Sequence, residues 1–60
     1  MKPKELLNLL KKDGWEIKNQ NGSHIHLINK TKPGKVQVTY HNKDLKPGTL
    51  NSILKQAGLK

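Results

Sequence analysis

Within 60 residues the spacing of apolar side chains changes twice, from a helical period to strict alternation and back. Between Lys4 and Lys12, Leu6, Leu7, Leu9 and Leu10 form one stripe with Lys4, Glu5, Lys11 and Lys12 outside it, which predicts an amphipathic helix. Pro3 suits an early helical position, where its missing N–H is not needed, and Asp13-Gly14 supplies a stop. From Trp15 the period is two. Trp15 and Ile17 alternate with Glu16 and Lys18, Ile25 and Leu27 with His24 and His26, and Val36, Val38 and Tyr40 with Gln37 and Thr39. Each run predicts a strand with one apolar face. Leu50, Ile53, Leu54 and Ala57 then return to i, i+3, i+4, i+7 spacing, with Thr49 as the expected N-cap and Gly58 as the expected stop.

A chain this short buries only about 60% of its unfolded surface, and without cysteine neither a disulfide nor a thiolate metal site reinforces the core. The expectation is one domain over residues 1–60, of α+β class. Its order is α-β-β-β-α, a three-stranded antiparallel sheet with both helices on its one apolar face. That face is made by Trp15, Ile17, Ile25, Leu27, Val36, Val38 and Tyr40, and the other carries Lys18, His24, His26 and Thr39. In the first hairpin, a three-residue loop of Gln20, Asn21 and Gly22 keeps the faces consistent. It sets Ile17 opposite Ile25, Trp15 opposite Leu27 and Lys18 opposite His24. The next connection, Asn29 to Gly34, is polar and basic and should be an exposed loop within reach of a phosphate backbone.

Twelve lysines, no arginine and four acidic residues leave a formal charge of +8. A polyanion is the natural partner, although the same lysines also keep a small protein in solution. Lysine is a mobile point charge rather than the planar fork that reads guanine edges, so backbone attraction and salt-sensitive binding are favoured over sequence reading. The missing cysteines fit a reducing cytoplasm. The stretch MKPKELLNLLKKDG is too charged for a secretory core, and no apolar run is long enough to span a bilayer. The expected location is therefore the cytoplasm.

The run Gly22-Ser23-His24-Ile25-His26-Leu27 puts two of three histidines on one strand and one face, with Cα atoms roughly 6.5–7 Å apart. Imidazole ordinarily titrates near neutrality and can accept and return protons. On a basic surface that holds RNA, the matching reaction removes a proton from a 2′-hydroxyl, which attacks the adjacent phosphate while nearby lysines stabilise the developing charge. Such cleavage needs neither metal nor other cofactor, and a His-x-His pair with no evident third ligand is a poor metal site. A histidine on an exposed strand face is ordinarily a solvated polar residue, so spacing alone does not assign catalysis. His41, beside a turn, has a surface role by default. Trp15 and Tyr40 fall on the packed face as core rather than as base-stacking platforms.

Three segments in order, KELLNLLKKDGWEI, GSHIHL and KVQVTYHNKDLKPGTLNSILKQAGL, resemble the HicA-type mRNA interferase toxins of bacterial and archaeal toxin–antitoxin pairs, over nearly the whole chain. The resemblance implies a double-stranded-RNA-binding-domain-like fold and ribosome-independent cleavage of mRNA that halts translation. It implies His24 as the catalytic residue, with Gly22 and Ser23 as the turn and strand entry beside it. His26 has no fixed counterpart, and Leu27 stands where a bulky aromatic is frequent. The implied partner is a HicB-type antitoxin that masks the site, and an acidic or groove-filling surface would suit this basic chain.

The leading reading is a toxin endoribonuclease with His24 as general acid or base. Lys18, Ser23, His26, Lys30, Lys32 and Lys35 are candidate RNA contacts, and a second proton-transfer role for His26 stays open. The alternative is a non-catalytic double-stranded-RNA-binding module, although Lys46 alone beside Pro47-Gly48-Thr49 is thin for a groove reader. Docking on an anionic membrane is poorly supported, because neither helix combines a lysine-rich face with bulky aromatic anchors.

Overall fold

The structure, a computed structural model, describes residues 1–60. Helix α1 spans Pro3–Lys12, with proline in its first turn and Glu5 Oε1 accepting the Lys2 N–H at 3.2 Å. Leu6, Leu7 and Leu10 are buried, while Leu9 lies at the margin of the stripe and stays exposed. The helix ends at Asp13, whose N–H still reaches back to the last turn. Strands β1 (Trp15–Asn21), β2 (His24–Asn29) and β3 (Val36–Thr39) follow, and then helix α2 (Pro47–Gln56). The strands form one antiparallel sheet in the order β1-β2-β3.

Helix α1 packs against β1 and β3, and α2 against β3. Their apolar stripes meet Trp15, Ile25, Leu27, Val36 and Val38 in a core that includes Leu45, Ile53 and Ala57. Truncating any large member of such a core costs about 2–5 kcal/mol, most of what a domain this small has to spare. Leu45 was not foreseen as core. It is buried in the β3–α2 connection, and its N–H donates to Met1 O at 2.9 Å, anchoring that connection to the chain start. No helix is long and apolar enough to cross a membrane.

The fold class is as the periodicity predicts, but the first hairpin is not. Instead of a three-residue loop, β1 runs on to Asn21 and the turn is Gly22-Ser23. Asn21 lies opposite His24, Gln20 opposite Ile25 and Asn19 opposite His26. A tight turn with uninterrupted pairing would send Ile17 to the wrong face. The chain resolves this with a bulge between Ile17 and Asn19, after which Ile17 pairs with Leu27 and Trp15 with Asn29. Lys18 is therefore the extra residue and does not face His24. Gly22 makes the turn possible: its φ of +63° is the only positive φ among the central residues, the sign pattern of a type II′ turn.

Two members of the expected apolar face are not core. Ile17 is 43% exposed, because β1 is an edge strand beyond the main reach of the helices. Tyr40 is 42% exposed, because β3 ends at Thr39 and the chain then turns away. Thr49 is likewise not the N-cap of α2. The helix starts earlier, with Lys46 as the capping residue and Pro47 in the first turn. At the other end Gly58 (φ +74°) stops the helix as expected, with Leu59 N–H donating to Leu54 O at 2.9 Å.

Candidate functional site

Strand alternation and the bulge together decide what stands on the helix-free face of the sheet. Residues opposite one another in a ladder share a face, so the register gives two rows across it. One row is Asn21, His24 and Thr39, and the next is Asn19, His26 and Gln37. The first row is closed at its end by Tyr40 N–H, which donates to Ser23 O at 2.7 Å. His24 is thus held by a tight turn on one side and by continuous pairing with β3 on the other.

His24 is exposed, and its Nδ1 lies 2.8 Å from Gln37 Nε2. Gln37 reaches it diagonally, since its direct cross-strand neighbour is His26. The contact assigns distinct roles to the two ring nitrogens. With the carboxamide nitrogen toward the ring, Nδ1 is the acceptor and the neutral imidazole carries its proton on Nε2. With the carboxamide reversed, its oxygen accepts an Nδ1–H and Nε2 is left bare. A carboxamide can thus hold the ring in either state while Nε2 is free of protein partners. Gln37 was not among the residues singled out from sequence, although its alternation with Val36 and Val38 already placed it on the open face.

His26 is half-buried, and its ring makes no hydrogen bond to protein. It lines a cleft of about 470 Å³ together with Lys18, Asn19, Asn21, Ile28 and Lys35. Asn19 and Asn21 could not be placed here from sequence, because their position depends on the true register. His41 lies beyond β3, where its Nδ1 accepts the Lys43 N–H at 3.1 Å, and it lines a separate cleft near the start of α2. No three histidine or carboxylate side chains gather where they could hold a metal ion.

The candidate lysines divide into two kinds. Lys18, Lys30 and Lys35 are exposed with no ion pair. Lys32 is engaged: its ammonium forms an ion pair with Asp13 and donates to Ala57 O at 3.1 Å. Asp13 ends α1 and Ala57 ends α2, so one side chain joins the C-terminal ends of both helices, where a cation is electrostatically favoured. The loop holding Lys32 is itself shaped by Asn29. Its Oδ1 accepts from the Thr31 N–H at 2.9 Å and from Thr31 Oγ1 at 3.0 Å, while its Nδ2 donates to Asp13 O at 3.2 Å.

These features define a small basic domain of double-stranded-RNA-binding-domain-like α-β-β-β-α type, presenting a held imidazole on an open, lysine-flanked sheet face. A family model described as "HicA toxin of bacterial toxin-antitoxin" matches residues 3–59. The chain belongs to the HicA toxin family, and with it to the toxin side of toxin–antitoxin pairs. No curated protein matches it.

Proposed function

We propose that the protein is a metal-independent endoribonuclease that cleaves mRNA and so inhibits translation, with His24 as the group that moves the proton. The observation that carries this reading is the His24–Gln37 contact, which leaves Nε2 as the reactive nitrogen on an open basic face. In the cleavage step, the ring takes the proton from a 2′-hydroxyl as the O2′–P bond forms and the P–O5′ bond breaks. A proton is returned to the departing 5′-oxygen, leaving a 2′,3′-cyclic phosphate and a 5′-hydroxyl. Lys18, Lys30 and Lys35, with the Ser23 edge of the turn, would hold the phosphate backbone, and such contacts weaken as salt rises. Lys32 serves this surface indirectly, by ordering the loop between Lys30 and Lys35.

The proposed partner is a HicB-type antitoxin in the same cytoplasm, masking the histidine face with a surface complementary to its positive charge. The deciding experiment incubates long single-stranded RNA with the protein in excess EDTA. Cleavage by wild type, lost in His24→Ala while RNA binding survives, is the expected result. Binding of duplex RNA by both proteins, with no strand loss from either substrate, would make this a recognition module and not a nuclease.

A further inference from the structure

The bulge at Lys18 opens a second feature on the same face. An inserted residue bends its strand and re-aims the side chains around it. Here Asn19 and His26, paired across the two strands just past the bulge, line the cleft between Lys18 and Lys35. The cleft volume of about 470 Å³ lies within the roughly 300–1,000 Å³ typical of sites that enclose small organic groups.

We propose that this cleft is a nucleobase subsite preferring adenine, in which the His26 imidazole stacks on the base while the Asn19 and Asn21 carboxamides read its edge. Lys18 and Lys35 take the phosphates on either side. The proposal rests on the reading of this face as an RNA-cleaving surface, but concerns the nucleotide beside the scissile bond and not the proton transfer.

Three observations carry it. His26 is half-buried with both ring nitrogens unpartnered by protein, so its flat face and not an anchored nitrogen is what the cleft offers. Ile28, on the same face and 37% exposed, adds apolar surface that the core does not use. Asn19 and Asn21 each set a donor and an acceptor side by side, a pattern that the adenine N6 and N7 edge satisfies, and the larger purine face stacks on an imidazole more strongly than uracil does. Unpaired RNA bases expose such edges and stack on aromatic side chains, histidine included. His26 lies two residues from His24 on the same strand face, roughly 6.5–7 Å away at Cα, a separation that one nucleotide spans.

The test uses trinucleotides carrying 2′-O-methyl groups, which block the 2′-nucleophile and prevent cleavage, with adenine or uracil at the centre. Nuclear magnetic resonance of the His26 ring and of the Asn19 and Asn21 side-chain amides follows binding. The adenine trimer should bind more tightly and shift all three groups. His26→Leu should weaken its binding roughly 5- to 100-fold. His26→Phe, which keeps a stacking face but cannot transfer a proton, should stay within about threefold of wild type. Asn19→Ala should weaken binding of both trimers, whereas His26→Leu should narrow the difference between them. Equal affinity of wild type for both trimers, or equal damage from Phe and Leu at position 26, would overturn the subsite. Because no step of this test involves cleavage, a finding that His24→Ala still cuts RNA would remove the nuclease mechanism without altering these results.

Discussion

His24 and His26 share a strand, a face and a side-chain type, yet their surroundings differ in every respect that governs what an imidazole does. His24 is exposed, with Nδ1 against Gln37, beside a tight turn. His26 is half-buried beside a bulge, flanked by carboxamides and with no hydrogen bond to its ring. A ring held through one nitrogen suits proton transfer at the other, whereas a ring held by packing suits contact through its face. Histidine spacing alone carries neither role. The cross-strand neighbours are what distinguish the two rings.

The comparison breaks most visibly at His24 itself. His24→Ala should lower single-turnover RNA cleavage by about 10²–10⁴-fold, with binding in a filter assay preserved. A loss as large from His26→Phe would erase the distinction between the two rings.

Next in size is the turn that sets the His24 end. Gly22→Ala meets no steric obstacle, since nothing lies within 4 Å of an added Cβ, but a left-handed backbone is unfavourable for alanine. Thermal or urea unfolding should show a loss of about 1–2 kcal/mol, reflecting conformation alone.

Gln37 sharpens the comparison at smaller scale. Its contact with His24 is solvent-exposed, so its removal in Gln37→Leu should cost only about 1 kcal/mol, a five- to tenfold fall in kcat with KM little changed. Gln37→Glu is more discriminating. A carboxylate against Nδ1 favours the protonated ring, so the pH–rate profile should move to higher pH, an outcome that requires the ring beside position 37 to be the group titrating in the reaction.

The smallest effect belongs to Lys32. Its ion pair with Asp13 is partly exposed, with side chains 34% and 27% accessible, and such pairs contribute about 0–1 kcal/mol. Lys32→Ala should therefore destabilise by about 1 kcal/mol or less in urea. Lys35→Ala should instead leave stability unchanged and reduce the salt dependence of RNA binding. The reverse result would exchange the two roles.

The element order and most of the core were legible in the sequence because each strand buries only one face, so alternation between apolar and polar residues survives over most of the sheet, with Ile28 and the residues past the bulge as exceptions. The register of the first hairpin was not. A bulge has no compositional signature, and Lys18 reads as one more outward residue of an alternating run. Everything that depends on register was hidden with it, including the placement of Asn19 and Asn21 around His26. Tyr40 and Ile17 carry the right period but sit where the helices no longer cover the sheet, a matter of element length and docking. His24 stood out through the Gly-Ser-His run, whereas its partner Gln37 sits thirteen residues away and is joined to it only by the pairing of β2 with β3. Lys32 looked like any other loop lysine until two helix ends converged on it.

The indole of Trp15 is the sole tryptophan, 1% exposed, and its Nε1–H is buried without a hydrogen-bond partner. It lies under the helices, on the side of the sheet away from the histidines. The molecule thus carries its own optical gauge of integrity: the emission should be blue-shifted while the chain is folded and move to the red as water reaches the ring. RNA arriving on the opposite face should leave that colour unchanged. Damage to the fold and damage to the site can therefore be told apart in one cuvette, without a label.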